Sequence, residues 1–335
     1  MRAWQITNGF SIDELSLNTI PEPSAGPGQA VIRVRAVSLN FRDLLVTKGL
    51  YSKKLALPLT ICSDCAGEVV MVGTGTNRVK AGDRVMANFM PGWIAGDASE
   101  AKARTAMGAF TSGVLAELIV LNEDALVHTP PHLSHEEAAT LPCAAVTAWN
   151  ALFEMSRCKT GESVLVQGSG GVSVFALQLA KAAGARVIAI TSSDEKAARL
   201  QELGASDVLN YITTPDWEEP VRKLTGGGVD YVVEIGGAAT MNKSIRAARM
   251  GGTIALIGNR ASGSAEVNLT AALMKGLRIQ GIFVGSREMF EAMNRAITLH
   301  RIRPVVDRVF HLEQGKDALR HLETGAHFGK VVIRV

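Results

Sequence analysis

The sequence predicts an α/β protein in which a doubly wound parallel sheet is joined to a β-rich unit built from both ends of the chain. Three observations carry this expectation. Residues 1–125 hold short strand-like runs separated by turn residues, residues 126–299 alternate strand-like with helix-like segments, and residues 300–335 return to short strands. Repeated strand–helix–strand units cover both faces of a parallel sheet, whereas closely spaced alternating runs suit an all-β unit.

The elements follow in chain order. AVIRVRAVSL (residues 30–39) alternates apolar and polar side chains as a half-buried strand does. CAGEVVMVG (65–73) and DRVMANF (83–89) come next, set off by Gly- and Asn-containing turns. Residues 91–113 are poor in strand signals and carry several Gly and Ala, which reads as a long loop or short helix over a cleft. Ser134 with Glu137 three residues on predicts a capping box that opens a mostly apolar helix running to Met155. SVLVQ (163–167) then leads into helix VSVFALQLAKAAG, and RVIAI (186–190) into helix DEKAARLQELG. DYVVEI (230–235), TIALIG (253–258) and RIQGIFV (278–284) complete the strand series, and KVVIRV closes the chain. No internal repeat or low-complexity tract interrupts this order.

The sharpest motif is Gly168-Ser169-Gly170-Gly171-Val172-Ser173, which follows a buried strand and opens a helix. That context is what a dinucleotide fingerprint requires. The first Gly makes the tight turn, and the second lets backbone approach a pyrophosphate, whose charge rests on the N–H groups of the helix start. Ser173 stands where the third small residue packs helix against strand. NAD-binding sheets carry an acidic residue about 20 positions after the first Gly to grip the ribose 2′-hydroxyl. Here that place holds Thr191-Ser192-Ser193. No carboxylate there repels a 2′-phosphate, Ser192 and Ser193 can donate to it, and Lys196 and Arg199 can supply charge. Asp194 and Glu195 bring negative charge nearby. The reading favours NADP(H).

Bulk properties exclude other classes. In 335 residues, 47% are hydrophobic and 20% charged, and the net charge is +3, an ordinary balance for a globular enzyme with no footprint for nucleic acid. No apolar run approaches the ~20 residues that span a bilayer. MRAWQITNGFSIDEL lacks a charged lead followed by an apolar core, so no secretory signal is read there. Four cysteines, Cys62, Cys65, Cys143 and Cys158, make no disulfide framework, and a reducing cytoplasm is the expected compartment. The CxxC spacing of Cys62 and Cys65 invites a metal reading, but residues three apart in an extended segment point to opposite faces, and buried core thiols are expected instead. Cys143, at a helix start near the expected cleft, reads as a packed cysteine or a reactive thiol.

A wider set of motifs joins these: Ser38-Leu39-Asn40-Phe41-Arg42-Asp43, Gly49-Leu50-Tyr51, Ala66-Gly67-Glu68-Val69, Val79-Lys80-Ala81-Gly82-Asp83-Arg84-Val85, Leu141-Pro142-Cys143-Ala144, Thr147-Ala148-Trp149 and Gly329-Lys330-Val331-Val332. With the glycine turn, they resemble the medium-chain dehydrogenase/reductase superfamily over essentially the whole chain, and within it the zinc-independent quinone oxidoreductase-like branch. The resemblance implies a GroES-like catalytic domain at 1–125 and 300–335, a Rossmann cofactor-binding domain at 126–299, and a cleft between them. It also implies homodimers, often joined edge to edge through the last Rossmann strands. Cofactor contacts are expected from Asn40, Thr147, Gly168, Ser169, Gly170, Gly171, Val172, Ser192, Ser193, Lys196, Ile257, Gly258, Phe283, Val284 and Lys330. Tyr211 matches a position where quinone oxidoreductases set a tyrosine against the 2′-phosphate end.

The zinc alcohol dehydrogenases of the same superfamily hold a catalytic zinc with Cys, His and Cys beside a Glu. The matching positions here are Asn40, Ser63 and Cys143, with Asp64 in place of the Glu. A catalytic zinc takes three protein ligands and keeps an open position. The lobe whose four cysteines hold structural zinc in those enzymes falls in residues 88–113, which contain no cysteine. No metal is expected at either place.

Without zinc, hydrogen-bond donors must stabilise the negative charge that hydride transfer builds on oxygen. Asn40 and Tyr51 are the candidates, by resemblance to quinone oxidoreductases and enoyl reductases. Asp43 either orients Asn40 or closes a local turn. The leading expectation is an NADPH-dependent oxidoreductase passing hydride to a quinone or α,β-unsaturated carbonyl. The alternatives are a zinc-free alcohol dehydrogenase or aldehyde reductase, and a non-catalytic NADPH-binding protein. Residues 51–58, 91–112 and 259–287 are expected to shape the substrate pocket.

Overall fold

The computed structural model describes residues 1–52, 54–258 and 266–335. Of the segments expected to shape the substrate pocket, Lys53 and residues 259–265 lie outside the described residues. The chain divides into two compact units, Met1–Val146 with Gly285–Val335, and Thr147–Val284.

The first unit is built on strand Gln29–Ser38, buried along most of its length because it is paired on both sides. Among the described residues its sheet runs Val306–His311, Lys330–Arg334, Gln29–Ser38, Asp64–Val72, Arg84–Ala87, Leu126–His128, and Leu118–Asn122 also pairs with the central strand. A smaller sheet joins Leu15–Thr19, Arg2–Ile6 and Leu59–Thr60. Ile32, Val34, Val37, Leu44, Ile61, Leu115, Leu319 and Ile333 lie in one apolar core. Register decides what meets at the end of the central strand. Ser38 pairs with both Asp64 and Val332, and Leu39 N–H donates to the Val331 carbonyl at 2.9 Å. Asn40, Asp64 and Lys330 therefore arrive at one place.

The second unit carries a six-stranded sheet, parallel at every pairing, in the order Asp207–Asn210, Arg186–Thr191, Ser163–Gln167, Val229–Glu234, Ala248–Leu256, Arg278–Gly281. In chain order this is 3-2-1-4-5-6, the doubly wound arrangement whose ligands bind beyond the carboxyl ends of the strands where the order reverses. Leu165, Ile188, Val232 and Ile254 of the sheet pack with Val221, Met241 and Ile245 of the helices.

The Ser134–Glu137 capping box forms, with Glu137 N–H donating to Ser134 Oγ at 3.2 Å and Ser134 N–H to Glu137 Oε2 at 2.8 Å. The single long helix expected after it does not. The α-helix spans only His135–Ala138, and wider π turns at Leu141–Ala145 and Asn150–Met155 flank a short α segment, Val146–Trp149. Pro142 has no N–H to give and its ring crowds the preceding turn, which accounts for the loosened winding around it.

Candidate active site and nucleotide-binding turns

In the first unit, Asn40 lies two residues beyond the central strand and caps helix Phe41–Thr47. Its N–H donates to Asp43 Oδ2 at 2.7 Å, and Asp43 N–H returns to the Asn40 carbonyl at 2.9 Å. Asp43 thus closes the local turn and by the same bond fixes the Asn40 backbone. Lys330, almost fully buried at the start of its strand, donates from Nζ to the Leu39 carbonyl at 2.6 Å and to Asn40 Oδ1 at 2.5 Å. Asn40 Nδ2 is buried and lies near Asp64 without a well-formed hydrogen bond among the described residues. Asp64 accepts from Ser63 Oγ at 2.7 Å and from Cys143 N–H at 3.0 Å. The Arg42 guanidinium donates to the Met107 carbonyl at 2.9 Å and lies 4.8 Å from the ring centres of both Tyr51 and Phe89. Half-buried Tyr51 also packs against Phe110, with ring centroids 6.1 Å apart.

This cluster holds two buried carboxyl groups between two cations. Burial pushes Asp43 up to about 6, against the opposing pull of Arg42, the Asn40 N–H and Lys330. Burial raises Asp64 too, while Lys330, the nearby Asn40 amide and the bonds from Ser63 and Cys143 favour its charged form. Cys62 and Cys65 are buried; burial drives the Cys62 thiol well up and Cys65 to about 12. Cys62 adopts φ +68°, so it is not extended, and the argument from strand alternation does not apply to it; burial alone makes it a core thiol. Cys143 keeps some exposed surface, yet burial and the Asp64 charge push its thiol well up. A thiol held protonated is a poor nucleophile, which favours the packed reading of Cys143. Among the described residues no three His, Cys, Asp or Glu side chains come together as a metal-binding group.

The second unit places the glycine turn at the carboxyl end of its first strand. Gly168 has φ +74° and its N–H reaches the Ile190 carbonyl at 2.6 Å. Gly170 caps helix Gly171–Ala182 without any side-chain cap, and a Cβ there would meet nothing within 4 Å. The first N–H groups of that helix have no side-chain cap and the space beside Gly170 is open, which fits an anionic pyrophosphate. Buried Ser173 turns its hydroxyl inward to the Gln167 carbonyl at 2.5 Å, so a serine at the third small position closes the turn instead of crowding it.

On the next strand Thr191 is buried and its Oγ1 lacks a hydrogen-bond partner among the described residues. Ser193 Oγ accepts from Lys196 N–H at 3.3 Å as a helix cap, beside partly buried Ser192. Asn210 Nδ2 donates to Asp194 Oδ1 at 2.8 Å, and Tyr211 N–H donates to the Thr191 carbonyl at 2.9 Å. Gly168–Val172, Ser192, Ser193, Lys196 and Tyr211 therefore gather at the ends of three adjacent strands. Ile257 and Gly258 stand across the strand-order reversal, both tied by N–H groups to the Glu234 carbonyl at 2.9 and 3.3 Å. Val284, at φ +53°, accepts from Asn150 Nδ2 at 2.7 Å, next to exposed Phe283. Thr147 is buried in the Val146–Trp149 segment. Asn40 and Lys330, expected among the cofactor contacts, belong to the first unit and are bonded to each other. Sequence reasoning missed Arg42 and the acceptors of Lys330; the available signal was a lysine opening an otherwise apolar strand.

Two family models match the chain, the alcohol dehydrogenase GroES-like domain at residues 26–131 and the zinc-binding dehydrogenase at 171–298. A zinc-type alcohol dehydrogenase-like protein of Schizosaccharomyces pombe is 44% identical over 316 residues, covering 92% of this chain and 91% of its own. An acryloyl-coenzyme A reductase of Metallosphaera sedula is 29% identical over 322 residues, 94% of each chain. The crystal structure of a putative alcohol dehydrogenase from Sinorhizobium meliloti superposes with a TM-score of 0.93 at 38% identity, covering 100% of this chain and 98% of that one. The fold and the matching families define an NAD(P)-dependent oxidoreductase. The chain belongs to the medium-chain dehydrogenase/reductase superfamily.

Proposed function

We propose that the chain is an NADPH-dependent reductase of quinones or α,β-unsaturated carbonyl compounds that works without a catalytic metal. The carrying observation is the Lys330 ammonium bonded to Asn40 Oδ1, which commits that oxygen and leaves Nδ2 as the donor end of the amide. A metal at this place would need three ligands, and Cys143 is the one thiol in the set. Asn40 Oδ1 already serves an ammonium, whose charge would repel a cation held beside it. The residues present do not fit a catalytic zinc, whatever the name of the matching dehydrogenase family.

When bound, reduced nicotinamide supplies the hydride, and negative charge gathers on the substrate oxygen. In this reading Asn40 Nδ2 and the Tyr51 hydroxyl donate to that oxygen, and one such donor is worth about 2.7–4 kcal/mol. Arg42 packs against the Tyr51 ring and holds it in place. The first unit carries the substrate chemistry and the second the nucleotide. NADPH is preferred over NADH because Thr191 stands where a carboxylate would grip the 2′-hydroxyl, with Ser192, Ser193, Lys196 and Tyr211 around it.

The acryloyl-coenzyme A reductase relative supports a conjugated carbonyl substrate. The alcohol dehydrogenase-like name of the Schizosaccharomyces pombe relative favours a second reading, a zinc-free dehydrogenase of simple alcohols or aldehydes. A panel of quinones, enones, aldehydes and alcohols with either cofactor separates the two. Turnover of quinones or enones with NADPH is expected; turnover of alcohols and aldehydes alone would sink the leading reading.

The proposed setting is a cytoplasmic homodimer; among the described residues no helix is long and apolar enough to cross a membrane. Edge strand Arg278–Gly281 is exposed along its whole length, and nearby Leu269, Leu273 and Met274 are 70–77% exposed, a surface suited to edge-to-edge pairing. Light scattering at micromolar concentration should give the dimer mass, and a monomer mass would refute the pairing.

A further inference from the structure

The second unit contains a buried acid that no part of the proposed chemistry uses. Glu234 ends strand Val229–Glu234 with no exposed surface. Its Oε1 accepts from Gly236 N–H at 2.8 Å, Gly237 N–H at 2.9 Å and Thr240 Oγ1 at 2.5 Å. Its Oε2 accepts from Gln167 Nε2 at 2.8 Å and from the Ser244 hydroxyl. Gln167 Nε2 also donates to Ser244 Oγ at 2.8 Å, so the serine proton is committed to the acid and every group facing the carboxylate is a donor. The main-chain carbonyl of Glu234 holds the Ile257 and Gly258 N–H groups.

A buried carboxylate with five donors is costly to assemble, and here all five are neutral. They come from specific places. Gln167 immediately precedes Gly168. Gly236 and Gly237 form the turn after the fourth strand in the 3-2-1-4-5-6 order, and this turn is so close to the following helix that a Cβ on Gly236 would lie 2.3 Å from Thr240 Oγ1. Ile257 and Gly258 follow the fifth strand. One residue thus ties together three turns at the carboxyl ends of adjacent strands, astride the reversal of strand order where doubly wound sheets bind their ligands.

We propose that Glu234 is a positioning residue for the nucleotide: its carboxylate sets the 235–237 turn and, through Gln167, the Gly168 turn, in the arrangement that receives the cofactor. This rests on the chain binding a dinucleotide at these turns and not on which one it prefers.

Glu234→Gln keeps the shape but sets an NH₂ group against the donor Gln167. The exchange Gln167→Glu with Glu234→Gln restores one donor and one acceptor across the pair. NADPH and NADH are each titrated calorimetrically into wild type and variants, with melting temperature followed in parallel. Glu234→Gln is expected to weaken both nucleotides about tenfold, the scale of one charge-assisted bond, and the exchange to bring both back within about threefold of wild type. Ile245→Val, in the apolar core of the same helix layer, serves as a stability control and should lower the melting temperature with affinity unchanged. If Glu234→Gln does not fold, Thr240→Val removes a single donor and should weaken both nucleotides severalfold. Affinities within threefold of wild type in the folded Gln or Val variant, or an exchange that recovers melting temperature without affinity, would overturn the proposal. A wild type that prefers NADH would contradict the NADPH reading and leave this one standing.

Discussion

Each unit buries an acid at one end of a strand and bonds it to neutral donors, but the charges around the two differ. Asp64 shares its surroundings with Asp43, Arg42 and Lys330, so charge of both signs is packed into one place. Glu234 has five neutral donors and no cation among its hydrogen-bond partners. Neutral donors fix geometry. Buried opposite charges also maintain a local field, at a desolvation cost that apolar packing would avoid. The difference assigns orientation to the second unit's network and electrostatic work to the first unit's.

The largest effect is expected at Lys330. Lys330→Met leaves Asp64 without its cation and strands the Leu39 carbonyl and Asn40 Oδ1 as buried acceptors. The expected loss is about 3–5 kcal/mol, read by denaturant unfolding, and adding Asp64→Asn should recover part of it. A loss under about 1 kcal/mol would mean that the charges are not coupled as their burial requires.

Asp43 makes the stability of the first unit depend on pH. Its carboxyl is raised from 3.8 to about 6 in the folded chain, so the folded state binds the proton more tightly than the unfolded one. The stability this supplies is full below pH 3.8 and is lost as pH rises through about 6. Asp43→Asn keeps an acceptor for the Asn40 N–H and removes the titration. Wild type should therefore lose at most about 3 kcal/mol relative to Asp43→Asn between pH 4 and 7. Parallel stability curves for the two proteins across that range would refute this.

Lys196 gives the smallest effect and tests whether the second unit uses charge as well. Lys196→Ala should weaken NADPH by about 10- to 150-fold at most, less at high salt, and leave NADH nearly unchanged. Calorimetric titration of both cofactors reads it, and equal losses for the two would mean that Lys196 does not meet a 2′-phosphate.

What could be read in the sequence was local. The glycine turn declares itself because a positive φ and a missing side chain are needed within a few residues, and Ser173 departs from the pattern at no cost because its hydroxyl closes onto Gln167. The strands of the parallel sheet were legible from their apolar runs, except Asp207–Asn210, which is short and only half-buried. The networks were not legible. Gln167 and Glu234 lie 67 positions apart, and Asn40 and Lys330 lie 290 apart. No periodicity connects such pairs, since their meeting depends on sheet order and register. The π turns after Ser134 were hidden for a related reason: an apolar run around Pro142 fixes burial but not the winding of the backbone.

In the proposed chemistry the Asn40 and Tyr51 donors of the first unit take the place of a catalytic metal. Elemental analysis of active, purified protein tests it most directly, paired with NADPH turnover of a quinone before and after exhaustive chelation. Zinc far below one per chain and undiminished turnover after chelation are the expected results. One tightly held zinc per chain, with turnover lost on its removal and restored on its return, would contradict the account.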